Sequence, residues 1–230
     1  MKYILFIHIM LAVMLLNGQD AKVDFKKINE TYNTTETFSM SIKYELYLDG
    51  STRAHETEYG KYMKYKKMYF TSQANSELII TNDYMFIIDK NTKLLAIDKR
   101  VDDSKIVNPL SVNLDSLYLL YSKIENLKSS SNSIRGYRFF IKEGPYSLCD
   151  VYFDTKTNFV TEIINVFRDK LADENNVKRQ AVLKTTFYNI SKKSSDYITV
   201  FDEKRYVEKN KEKFILSKNY KTFKFINHLN

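Results

Sequence analysis

From Phe38 to Lys99 apolar and polar residues alternate in one short run after another. A period of two sends successive side chains to opposite faces of an extended strand, so the region reads as antiparallel hairpins and not as helices. In the first run Met40, Ile42, Tyr44, Leu46 and Leu48 share one face; Ser39, Ser41, Lys43, Glu45 and Tyr47 share the other. Asp49-Gly50-Ser51 then turns the chain. Return strands run from about Ala54 to Ser72, followed by Glu77 to Ile80, Tyr84 to Ile88 and Leu94 to Ile97. Turns fall at Asn82-Asp83 and Asp89-Lys90-Asn91.

The flanks complete the layout. Phe25, Ile28 and Tyr32 recur at helical spacing behind Asp24, which predicts a short helix over Asp24 to Asn33 with Asp24 as its N-cap, lying across the sheet. A second helix is predicted from Asp115, with Leu117, Leu120, Tyr121, Ile124 and Leu127 as its apolar stripe. Strands resume at Ile134 to Lys142, Ser147 to Asp154, Phe159 to Arg168 and Ala181 to Ile190, with a polar loop over Asp169 to Arg179. Asp202 to Asn230 carries eight Lys/Arg and four Asp/Glu among many aromatic and aliphatic residues, so it should pack on the sheet or add strands to it.

Met1-Lys2-Tyr3 precedes an apolar run of 13 residues, Ile4 to Leu16, and then the small and polar Asn17 to Ala21. A spanning helix needs roughly 20 apolar residues, so residues 1–20 read as an export signal with cleavage near Gly18 to Ala21, leaving no transmembrane span. Cys149 is the one cysteine, and none follows the apolar run. The exported chain is therefore expected to carry neither acyl groups nor an internal disulfide, with Cys149 as a small buried hydrophobe. The formal net charge is +8, and removing residues 1–19 deletes only Lys2 from it. Such a charge favours anionic surfaces, although a solvated Lys/Glu surface is the better account of it.

Reactive groups are scarce. Beyond the signal only His55 and His228 remain, and neither has a His, Cys or carboxylate pair at ligand spacing, so no metal and no cofactor is expected. No glycines frame a nucleophile elbow or a phosphate loop. The adjacent carboxylates Asp102-Asp103 read as solvated loop residues, and the chain lacks the Trp that sugar-binding clefts commonly use. Lysines interleave with aromatics from Lys61 to Phe70, as a nucleic-acid platform would require. In an exported chain they read instead as lysines snorkelling from an apolar strand, and no nucleic-acid partner is expected.

What remains is apolar surface on both sides of the predicted strands. Tyr62, Met63, Tyr65, Met68, Phe70, Met85, Phe86 and Ile88 are the candidate lining of a hydrophobic groove, and alternation prevents all of them from pointing one way. Flexible Met and amphipathic Tyr suit acyl chains or a variable hydrophobic partner. The competing reading is that these residues form the core of a closed barrel or of a helix-covered sheet.

The layout resembles the LolA/LolB-like periplasmic lipoprotein-carrier family. The matching stretches are Phe38-Ser39-Met40, Gly60 through Phe70, Ser76 through Asp89, Val151-Tyr152-Phe153-Asp154 with Phe159 to Ile163, and Thr185 to Ile190. The likeness spans roughly Phe25 to Phe201. It departs from the family pattern near Tyr65-Lys66, where no Arg-Pro stands, and at Asp83-Tyr84, where a turn glycine is replaced. It implies a mainly β (α+β) fold, a curved antiparallel sheet or half-open β-barrel with two or three helices covering one face. Residues 21–230 would form a single domain with 202–230 as a C-terminal extension. The resemblance further implies a non-enzymatic periplasmic or secreted protein that binds lipid or an acylated lipoprotein. The alternative is a protein-interaction or structural subunit of a bacterial envelope assembly, with envelope proteins as partners.

Overall fold

The computed structural model of the chain describes residues 20–100, 120–129, 131–172, 175–193, 197–210 and 213–229. The expected export signal, Asp102-Asp103 and the start of the expected second helix, Asp115 to Leu117, lie outside these residues. A helix α1 (residues 20–34) precedes strands β1 (Thr37–Leu48), β2 (Glu56–Tyr65), β3 (Met68–Gln73), β4 (Ser76–Ile80), β5 (Tyr84–Asp89) and β6 (Leu94–Lys99). Then come β7 (Tyr121–Leu127), β8 (Ile134–Ile141), β9 (Tyr146–Asp154), β10 (Val160–Phe167), β11 (Leu171–Ala172), β12 (Lys178–Arg179) and β13 (Ala181–Ser191). A short helix α2 (Tyr197–Phe201), strands β14 (Val207–Asn210), β15 (Lys213–Leu216) and β16 (Lys224–Asn227), and two 3-10 turns (Glu203–Arg205 and Lys218–Tyr220) follow among the described residues.

The expected mainly β architecture is the one observed. Twelve strands hydrogen-bond in the order β16-β6-β5-β4-β3-β2-β1-β13-β10-β9-β8-β7, which does not close on itself. The described pairings in this sheet are antiparallel except that of β16 with β6, which is parallel. No helix among the described residues is long and apolar enough to cross a membrane. Two compact units divide the chain. Of the described residues, 20–34, 44–57 and 120–186 belong to the first, and 35–43, 58–100 and 187–229 to the second.

In the first unit α1 buries Phe25, Ile28 and Tyr32, the predicted stripe, against the strands. The Phe25 ring meets Phe139 edge-on at 5.2 Å, and Tyr32 meets Phe159 at 5.2 Å while its hydroxyl accepts the Val160 N–H at 3.1 Å. Burial of the Tyr32 phenol raises its pKa. The helix starts ahead of Asp24, so Asp24 is no N-cap. Its carboxylate instead accepts from Arg135 at 2.5 Å and from the Tyr137 hydroxyl at 2.7 Å, fastening α1 to β8. On the other face of the same strands Arg138 donates twice to Asp150, at 2.7 and 2.6 Å, and Lys184 pairs with Glu162 at 2.7 Å. Apolar side chains therefore meet α1, while the opposite face carries a ladder of charges.

Two further sequence expectations are corrected. Residues 121–127 form a strand, β7, paired with β8 through Ile124↔Phe139 and Asn126↔Tyr137, and are not helical. The loop over Asp169 to Arg179 contains a two-residue ladder, Leu171↔Arg179 and Ala172↔Lys178. In β8, Gly136 lies beneath the Tyr152 ring: a Cβ added there would stand 2.6 Å from Cδ1 and Cε1 of Tyr152. Only glycine admits that ring so close to the strand.

Candidate functional site

The hairpins of the second unit sort its side chains into two faces. One lateral row joins Met63↔Phe70, Phe70↔Ile79, Ile79↔Phe86 and Phe86↔Ile97 across five strands, and Ile88↔Leu95 lies beside it. All seven side chains are buried. The covering layer is the chain's own C-terminal segment, which both packs on the sheet and extends it. Tyr206 stacks on Phe86 with centroids 5.0 Å apart, Tyr197 stacks on Tyr65 at 5.6 Å, and Tyr220 packs on Tyr206 at 5.9 Å. Val200, Phe201 and Val207 join the same core, and β16 adds Phe225 opposite Leu95.

Polar contacts hold this layer in place. The Tyr206 hydroxyl donates to the Val200 carbonyl at 2.6 Å, and the Ser217 hydroxyl to the Arg205 carbonyl at 2.6 Å. Asp202 caps the following 3-10 turn by accepting the Lys204 N–H, and the Thr81 hydroxyl donates to Glu203 at 2.5 Å. Loss of water around Glu203 raises its carboxyl pKa, against the lowering effect of the Thr81 bond; Asp83 and Asp202 raise it further. A cleft of ≈ 560 Å³ beside this contact is lined by Tyr84, Glu203, Val207 and Phe214 among others.

The eight candidate groove residues therefore separate. Met63, Phe70, Phe86 and Ile88 lie within the packed core, with Tyr65 and Met68 against its edge. Tyr62 and Met85 lie on the opposite face, in the rows Tyr62↔Thr71↔Leu78↔Ile87↔Ala96 and Tyr69↔Ile80↔Met85. Tyr62 is buried with its ring 5.5 Å from Phe38. Leu78, Tyr69 and Met85 are half-buried, and Ile87, in mid-strand, is 45% exposed. Lys64 shares this face and is buried; desolvation lowers its pKa, and Glu36 acts in the opposite direction.

Titratable groups elsewhere are dispersed. Among the described residues no three His, Cys, Asp or Glu gather in a way that could hold a metal ion. Burial pushes the Cys149 thiol up to about 12, with Asp150 adding to the shift. His228 lies 3.6 Å from Asp98. His55 instead lines a cleft of ≈ 500 Å³ in the first unit, together with Arg53 and Arg179. Sequence reading passed over that cleft because Arg53 and Arg179 stand far apart in the chain and neither belongs to a motif.

Fold and faces together define a mainly β protein on an unclosed sheet whose second unit is apolar on both sides. No family model and no curated protein matches the sequence. Among solved structures the chain is similar to an uncharacterized conserved protein from Thermus thermophilus, at 9% identity, covering 91% of this chain and 99% of that one with a TM-score of 0.47. It is also similar to the MucA/MucB complex of Pseudomonas aeruginosa, at 9% identity over 77% of this chain and 59% of that chain, TM-score 0.44. A LolA superfamily protein from Nitrosomonas europaea matches at 9% identity over 79% of this chain and 96% of its own, TM-score 0.30.

Proposed function

We propose that this chain is an exported, non-enzymatic periplasmic protein that binds lipid or an acylated partner on the Tyr62 and Met85 face of its second unit. The observation that carries the reading is Ile87. An aliphatic side chain in the middle of a five-strand ladder, flanked by Leu78 and Ala96, keeps nearly half its surface in solvent. The opposite face cannot serve without displacing the C-terminal layer, because that layer already covers Met63, Phe70, Phe86 and Ile88. Acyl chains laid over Leu78, Met85 and Ile87 would release water at about 25 cal/mol per Å² buried. Binding of this kind needs no reactive group.

A second reading, a docking subunit of an envelope assembly, draws on Ile198 and Ile215 in the C-terminal layer, which are 83% and 44% exposed. Native mass spectrometry of the gently purified protein, followed by organic extraction, separates the two. Co-purified lipid that is lost in Ile87→Asp supports acyl binding. Lipid-free protein, or lipid retained by that variant, overturns it.

A further inference from the structure

We propose that the outer edge of β16 takes an added strand from a partner protein, an extended segment with an aliphatic residue among carboxylates. Strand β16 stands at one end of the strand order, paired with β6, and among the described residues no strand pairs with its other side. The pairing fixes which backbone groups are in use. Lys224 and His228 donate their N–H to the carbonyls of Lys93 and Ile97, at 2.7 and 3.0 Å. Successive residues of a strand direct these groups to alternate sides, so Phe225 and Asn227 send their N–H and C=O outward, in the plane of the sheet. An edge of this kind recruits extended backbone.

Side chains around the edge define the chemistry of the partner. The row Leu78↔Ile87↔Ala96↔Ile226 runs to this edge and ends at the half-buried Ile226. An aliphatic residue beside Ile226 would continue it. Lysines gather at the start of the strand: Lys93, Lys218, Lys221 and Lys224 are all exposed. Lys218 and Lys221 belong to the turn that feeds β16, which the Phe223 N–H closes by donating to the Tyr220 carbonyl at 2.8 Å. Asp98 lies at the other end of the strand, 3.6 Å from His228. Lysines on an edge oppose its pairing with a second lysine-bearing copy and favour carboxylates. The inference does not rest on acyl binding, which uses a face of the sheet and not its edge.

The probe is a synthetic nonapeptide of alternating valine and threonine with two aspartates at each end, added to the full chain; the same peptide with lysines for aspartates is the control. Amide exchange followed by NMR should show the acidic peptide slowing exchange at Phe225 and Asn227, with the basic peptide at least about tenfold weaker, as reversal of the charge pairs predicts. Asn227→Pro removes an outward N–H and no bond to β6, a position where proline is tolerated. It should weaken the peptide about tenfold, the effect of one hydrogen bond. Asn227→Ala should keep binding, and it controls for the side chain, which accepts the Leu229 N–H at 3.0 Å. Lys224→Glu, at an exposed side chain, should shift preference toward the basic peptide whether or not the proline variant folds. No protection up to about 1 mM peptide overturns the proposal. Equal binding of the two peptides, or protection unchanged in Lys224→Glu, overturns it as well. Self-association of the chain that Asn227→Pro abolishes would assign the edge to a second copy and overturn the acidic partner.

Discussion

The Thr81 hydroxyl lies 2.5 Å from the Glu203 carboxylate, joining the β4–β5 turn to the C-terminal layer. Burial raises the Glu203 pKa, so the folded state holds that proton more tightly than the unfolded chain does. The stability this contributes is complete below the unfolded carboxyl pKa and is lost as pH rises through the folded one. Urea unfolding should therefore show Glu203→Gln gaining on the parent at neutral pH and losing that advantage in mild acid. A constant difference across this range would remove Glu203 as the titrating group.

Phe86 is fully buried beneath Tyr206, whereas its neighbour Ile87 faces the other way. Phe86→Ala should cost about 3–5 kcal/mol through the cavity it leaves. Ile87→Ala, at a half-solvated position, should stay within about 0.5 kcal/mol. Denaturant midpoints for the two variants test the assignment of faces directly.

At Gly136 the added methyl of Gly136→Ala would displace the Tyr152 ring, and we expect a loss of about 1–3 kcal/mol. Combining it with Tyr152→Ala should return less than the sum of the two single losses. Strict additivity in the double-mutant cycle would show that the ring does not enforce the glycine.

The Asp24 carboxylate receives both Arg135 and the Tyr137 hydroxyl. Asp24→Asn should weaken the α1 attachment by about 1.5–3 kcal/mol, the range for hydrogen bonds to a charged group. Amide exchange would register this as faster exchange within α1 while the β8–β9 ladder stays protected.

Cys149, its thiol pushed up to about 12, holds almost no thiolate near neutral pH. Alkylation by iodoacetamide should be slow in the native protein and rise sharply in urea. Rapid native labelling would contradict the burial.

The β4, β5 and β6 hairpins were legible because Asn82-Asp83 and Asp89-Lys90-Asn91 are turn-forming residues between alternating runs. The β2–β3 turn was not. It is made by Lys66-Lys67, where Lys66 adopts φ 54° and donates its N–H to the Glu36 carbonyl at 2.6 Å, a contact that no local pattern announces. Strand β7 imitated a helix for a specific reason. A register shift between Tyr121 and Lys123 inserts one residue, so positions three apart, Tyr121 and Ile124, both come to Phe139. As for the groove, alternation alone separated Tyr62 from Met63. Which face would be sealed depended on a segment more than a hundred residues away, beyond what periodicity conveys.

Strand β16 joins β6, and Tyr206, Tyr220 and Phe225 complete the core laid down by β2 to β6. The first hairpins of that unit thus emerge from a ribosome with one greasy face uncovered until β16 has followed. Stepwise folding during synthesis is closed to this unit. Its hydrophobic face needs shelter for the whole passage, and truncation before β16 should yield an aggregation-prone chain rather than a smaller working protein.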